Sequence, residues 1–272
     1  MTKWRRPSVW KLMLTTLPLV AGVVGFKLFL EEIAGYKGSV EFSDITAVLT
    51  AVAFLIGFML AGTMADFQEA EKIPGDLACA LEAVEESLAF GATRKGVDVR
   101  VVRTKVFEVT TAIAEYLAGK RTIAQAHDAF ASLDGTMEEL DKAGATAFVT
   151  RAQGEIANVR KSLTRVEVIA NTGFLAPGYA LLDVMVASTV VLLMITRFKS
   201  ALVEYVLVTF ITLIYFYMVR LIRDIDNPFE LSRLGSAEVD PAPLAAYRER
   251  AELRLAQSKA PAAAAPAKAA VS

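Results

Sequence analysis

Few residues of this 272-residue chain could do chemistry, and they do not gather. The single histidine, His127, sits between helix-pattern residues Ala126 and Asp128 with no clustered partner, and a catalytic or ligating histidine needs one. The single cysteine, Cys79, excludes an intramolecular disulfide and a thiolate metal cluster. It lies on an apolar helical stretch, which predicts a small packing residue. Glu69, Glu71, Glu85, Glu86, Glu138 and Glu139 fall where a solvated helical face is expected. No Glu-x-x-His accompanies them to make a bundle metal site. The sequence has no P-loop, no G-x-S-x-G and no H-E-x-x-H. These residues point away from an enzyme, and no cofactor or metal is expected.

The chemically informative residues lie in apolar surroundings. Asp183 stands near the centre of the apolar run Phe174–Ile195. An ionisable group there is costly and faces a bundle interior or water. It has a functional reading, in an ion path, and a structural one, as a contact to Ser188, Thr189 or a neighbouring subunit. Lys27 lies one turn from the end of Leu12–Leu30, where its stem can reach the headgroups. Glu204, at the edge of Leu202–Val219, is expected at the interface. Thr50, Phe54 and Phe58 recur at i, i+4 and i+8 on one helical stripe. In one subunit this is another apolar face. Repeated around a symmetry axis, it makes stacked aromatic rings that gate by excluding water. Asp66, Glu69, Glu71 and Asp76 would then form acidic rings below; on a single chain they are a solvated helix.

These residues need long helices to position them. The chain is 54% hydrophobic, above the usual soluble fraction. The excess is concentrated in Leu12–Leu30, Ile45–Met64, Phe174–Ile195 and Leu202–Val219, each close to the ~20 helical residues that cross a bilayer. Of 29 basic and 30 acidic residues, these four runs hold only Lys27, Asp183 and Glu204. The first run has a basic flank but no A-x-A pattern after it, so it reads as a retained helix and not a signal peptide. Lys3, Arg5, Arg6 and Lys11 precede it, while the next loop has only Lys37, which puts both termini in the cytoplasm. Arg197 and Lys199, in the short loop Thr196–Ala201, oppose that orientation. The net charge of −1 gives no pull toward nucleic acid.

Residues 65–173 hold 13 Lys/Arg and 17 Asp/Glu, a solvated balance with helical periodicity. Leu77, Leu81, Val84 and Leu88 mark one helix, with Pro74-Gly75 as the first kink between it and the second span. Val99, Val102, Val106, Val109, Ile113 and Tyr116 mark another, stopped at Gly119. Further helices are predicted over Ile123–Leu140 and Ala147–Thr172, and no alternating strand stands out. After Asp226-Asn227-Pro228 a short helix runs from about Pro243 to Leu255, and Ser258–Ser272 is low-complexity and disordered. The divisions are 1–64, 65–173, 174–225, 226–257 and 258–272: a tail with two spans, a cytoplasmic helical region, two more spans, a cytoplasmic segment and the tail. The fold class is an all-α integral membrane protein with four transmembrane helices and a cytoplasmic helical bundle.

Several short stretches, taken in order, resemble the bestrophin family of pentameric ion channels, especially its bacterial branch. Phe54-Leu55-Ile56-Gly57-Phe58 is similar to the family's F-L-G-F in the second membrane helix. Glu69-Ala70, then Gly75, matches E-A-x-x-x-x-G. Glu167-Val168-Ile169-Ala170-Asn171-Thr172 resembles E-R-I-x-x-T, with Pro177 and Tyr179 following. Asp226-Asn227-Pro228-Phe229 resembles D-x-P-F, and Pro243-Leu244 the downstream P-L. The resemblance implies a homopentamer with Thr50, Phe54 and Phe58 at the pore neck and a tail packed on a neighbour. The implied localisation is the bacterial inner membrane.

There are departures from the family pattern. Met59 and Leu60 replace the family's Arg-Asn, Thr50 is polar at a usually apolar neck position, and Pro74 stands at a bulky aromatic one. Glu230-Leu231-Ser232-Arg233-Leu234 breaks the acidic run that forms a calcium clasp in animal members.

The function expected is passive ion conduction along the axis, with lipid, small inorganic ions and further copies of the chain as partners. Glu31, Glu32, Glu41 and Asp44 at the outer mouth, with Asp66 and Glu69 in the vestibule, favour cations if they line the path. The alternative is a non-conducting membrane scaffold whose cytoplasmic helices dock a partner protein.

Overall fold

A computed structural model describes residues 10–33, 35–36, 38–172, 176–226, 228–229 and 239–259. The expectations for the basic N-terminus, for the segment after Phe229 and for most of the Ala/Pro-rich tail lie outside these residues. The described residues form nine helices and one two-residue strand pair. They fall into two compact units: the described parts of Met1–Ala70 with Ile169–Val239, and those of Glu71–Val168 with Asp240–Ser272.

The first unit holds α1 (Lys11–Glu32), the start of α2 (Phe42–Lys95), α7 (Ala176–Ile195) and α8 (Ala201–Ile225). These four helices are long and apolar enough to cross a membrane. α1 packs along α8. One core joins Val52, Ile56 and Met59 of α2 to Leu182 and Val186 of α7 and to Tyr215, Val219 and Ile222 of α8. A second gathers Ile45, Leu193, Met194 and Val208. Three buried threonines cost little here because each turns its hydroxyl onto its own helix. Thr16 donates to Leu12 O (2.7 Å), Thr63 to Met59 O (3.1 Å) and Thr189 to Met185 O (2.9 Å).

The strand pair differs from the sequence expectation. The loop after α7 is not free: β2 (Thr196–Arg197) pairs in parallel with β1 (Val40–Glu41). Gly38, at φ +72, lets the chain pass the Thr196–Arg197 backbone, where a Cβ would lie 2.9 Å from Arg197 N. Pro74, expected at a kink, lies inside α2, a helix of 54 residues.

The second unit holds the rest of α2, then α3 (Val99–Leu117), α4 (Ile123–Asp128), α5 (Ala131–Lys142), most of α6 (Thr146–Asn171) and α9 (Ala242–Lys259). Asp98 caps α3 by accepting from Arg100 N at 2.9 Å, and Gly119 follows its end at φ +68. The helix expected over Ile123–Leu140 is two helices. Phe130 N bonds His127 O and Leu133 N bonds Phe130 O, an i→i−3 turn that keeps Phe130 in the core. Gly135, the expected weak point, lies inside α5. α9 packs on α3 of its own chain.

Candidate functional site

The face of α2 opposite its first-unit core is open. Phe54 is 77% exposed and Phe58 64%. Ala47, Thr50, Ala51, Gly57, Ala61 and Ala65 are exposed on the same side. The Thr50 hydroxyl donates to Thr46 O at 2.9 Å, so its donor is used and its lone pairs remain. This composition differs from the other outward faces. α1 shows Leu14, Leu17, Leu19, Phe26, Leu28 and Phe29, and α8 shows Leu202, Val203, Val206, Phe210 and Ile214. Those faces suit lipid. The α2 face, two phenylalanines among small and hydroxyl residues, suits close approach of other helices.

Lys27 corrects the first expectation. It does not reach for headgroups but is fully buried. Its Nζ donates to Leu193 O at 2.7 Å and Thr196 O at 3.2 Å, capping the end of α7. It pairs with Glu204 Oε1 at 2.7 Å and lies 3.8 Å from Glu31 Oε1. Glu204, expected at the interface, is 8% exposed in this cluster. Glu31 also accepts from the Tyr205 hydroxyl at 2.8 Å. Of the acids expected at the mouth, Glu31 is therefore held inside the chain, while Glu32, Glu41 and Asp44 are exposed.

Asp183 sits about two turns into α7, near its middle, and its partner is Arg223, where Ser188 or Thr189 was expected: it takes Arg223 Nη2 with both oxygens at 2.6 Å. Arg223 also lies 5.8 Å from the centre of the Tyr179 ring. The Tyr179 side chain faces Asp226, so the expected Tyr179 and D-x-P-F residues converge at one end of α7 and α8. Pro228 is buried and Phe229 half-buried beside them. Of the other signature residues, Ala70 is buried, Gly75 half-buried, and Gly57 and Glu69 exposed, as is the acidic vestibule candidate Asp66.

In the second unit a polar clasp went unread in the sequence. Glu85, expected on a solvated face, is 3% exposed. Its Oε2 accepts from Arg254 Nη2 at 2.8 Å and lies 3.1 Å from the Tyr247 hydroxyl. Glu82 takes Arg254 and Arg250, each at 3.0 Å. The available signal was the arginine spacing on α9: Arg250 and Arg254 stand one turn apart, like a pair that meets acids on one facing helix. Burial pushes the Glu82 carboxyl up, but the hydrogen bonds and charges of Arg254 and Arg250 outweigh it and hold it below the usual range. A depressed carboxyl contributes stability that is complete above its unfolded value of about 4.5 and is lost as pH falls through the lower folded value. Thermal melts of the full chain between pH 6 and 3 should show this loss, and Glu82→Gln should flatten it. An unchanged pH profile in the variant would remove Glu82 from the clasp.

Cys79, expected to pack, is exposed. His127 is half-buried. Among the described residues no histidine, cysteine or acid group is arranged to hold a metal ion.

No family model matches the chain. No curated protein matches it in sequence. Solved structures do match in fold. A variant of a bacterial bestrophin homologue from Klebsiella pneumoniae gives a TM-score of 0.67 at 13% identity, over 92% of this chain and 98% of that one. Another structure of the Klebsiella homologue gives 0.67 at 14%, over 91% and 97%. A further solved membrane protein gives 0.70 at 14%, over 90% and 98%. The chain therefore has the fold of these bestrophin homologues, and its four long apolar helices make it an integral membrane protein.

Proposed function

We propose that this chain is a bestrophin-like ion channel: a homopentamer that conducts passively along its axis, with Thr50, Phe54 and Phe58 forming the neck. The observation that carries the reading is the exposed α2 face. Its two phenylalanines, 77% and 64% exposed, are spaced by small residues, unlike the leucine-rich faces of α1 and α8. Around an axis the same face has a physical purpose. Small residues admit close helices, and the aromatic rings form a dry constriction. The fold of the bestrophin homologues supports this reading across most of the chain. The proposed setting is a bacterial inner membrane with both termini cytoplasmic and lipid around α1, α7 and α8.

Particle imaging of the purified chain in nanodiscs should give fivefold rings with an axial opening, and planar bilayers should carry a current. Monomers or dimers in the images would end the pore assignment. Silent bilayers together with a stoichiometric partner recovered on residues 65–173 would favour the scaffold reading instead.

A further inference from the structure

The open face of α2 in the first unit carries one polar group amid apolar ones. At 3.6 residues per turn, Ala47, Thr50, Gly57, Phe58, Ala61 and Ala65 all fall within about a sixth of a turn of Phe54. All are exposed. From Ala47 to Ala65 the only side-chain oxygen or nitrogen on this face is the Thr50 hydroxyl. The α2 acids of this unit stand aside from it. Seen from Thr50, Asp44 turns about a third of a turn away, Asp66 nearly half and Glu69 more than a quarter.

The Thr50 proton is already committed. Oγ1 donates to Thr46 O at 2.9 Å. Thr46, about a fifth of a turn aside from Phe54, does the same to Phe42 O at 3.0 Å. Where water is excluded, such a bond is costly to give up, because nothing replaces it. The Thr50 oxygen therefore offers lone pairs and no proton to whatever stands before this face.

We infer that Thr50 sets the sign of the ion at the neck: its oxygens, one from each copy, form an acceptor ring that takes a small monovalent cation stripped of part of its water. This rests on the channel reading above. Rings of acceptor oxygens pass cations by standing in for lost hydration. An anion needs donors, and the ring has none unless each hydroxyl leaves Thr46 O. Phe54 follows one turn along, about 6 Å of helix rise, and Phe58 another. The aromatic rings supply the dryness and Thr50 the one ligand beside it, which gives a chemical reason for a polar residue at a neck position that is usually apolar.

Reversal potentials of the full-length protein in planar bilayers, under a salt gradient, test this. Unmutated protein, where folding is not in question, should favour cations. Thr50→Val keeps the shape and removes the oxygen, and should lower the cation-to-anion permeability ratio by about threefold or more. Thr50→Ser keeps the oxygen and should hold the ratio above that of Thr50→Val. Because Thr50→Val also makes the neck drier, the comparison is repeated in the wider Phe54→Ala/Phe58→Ala protein, where the same ordering should appear. An anion preference in unmutated protein would overturn the inference and leave the channel standing. So would one ratio shared by the threonine, serine and valine forms in a conducting background. Absence of current in every protein, the double variant included, would sink the channel reading and this inference with it.

Discussion

The double substitution Phe54→Ala/Phe58→Ala should raise the current through the purified protein by about tenfold or more. A hydrophobic constriction blocks ions because water leaves it, and an ion entering must shed hydration that nothing replaces. Taking ~1.4 kcal/mol from that barrier gives a factor of ten, and removing two aromatic rings per copy should exceed it. The folding cost should be small. A phenylalanine truncated inside a core costs ~3–5 kcal/mol, but these two contribute almost nothing to the packing of their own chain, being 77% and 64% exposed. Single-channel recording checks the first statement and melting of the detergent-solubilised protein the second. An unchanged current with an unchanged melt would mean that both rings face lipid. A collapse of the melt with loss of the oligomer would mean that they are packing residues between copies. Truncating Phe54 alone should open the path only in part, because Phe58 lies one turn further along the same stripe.

The sequence carried this stripe clearly because it depends on periodicity alone, and periodicity survives in any helix long enough. The same holds for the α3 face through Val102, Val106, Val109 and Ile113, which is buried as expected. What could not be read was pairing between residues far apart in the chain. Lys27 and Glu204 each look like an isolated charge near the edge of an apolar run, and each alone is best placed at an interface. Only the packing of α1 on α8 brings them together. Glu85 and Glu86 are adjacent and chemically alike, yet one is buried and one exposed. The difference comes from α9, which supplies Arg254 and Tyr247 from about 160 residues downstream. Asp183 was legible as unusual, but its partner Arg223 belongs to another helix. Cys79 was misread for a related reason: its neighbours Leu77 and Leu81 are buried, and one position between them turns outward.

Lys27→Met should be the most destabilising single change in the first unit. The lysine has four partners in a dry setting: the Leu193 carbonyl of α7, the Thr196 carbonyl of β2, Glu204 at 2.7 Å and Glu31 at 3.8 Å. Single hydrogen bonds inside membrane proteins average only ~0.6 kcal/mol, which alone would make the change mild. A different effect dominates. Removing one member of a buried pair leaves the other charge uncompensated, which costs about 3–5 kcal/mol. Here Glu204 would be stranded beside Glu31, and the end of α7 would lose its cap. For a chain of this size the melting temperature should fall by on the order of 10 °C. Adding Glu204→Gln should restore a large part of the loss by removing the stranded charge. It should not restore all of it, since the Leu193 and Thr196 carbonyls lose their donor. Glu204→Gln alone should be milder than Lys27→Met, because Glu31 remains to balance the lysine. Equal effects from both single changes with no rescue in the double would show that packing volume, not charge, holds this corner. A Lys27→Met protein that melts normally would show that the ammonium is not buried at all. The order of the three variants therefore tests whether a charge inside an apolar span is tolerated at the span's edge or is the tie between α1, α7 and α8.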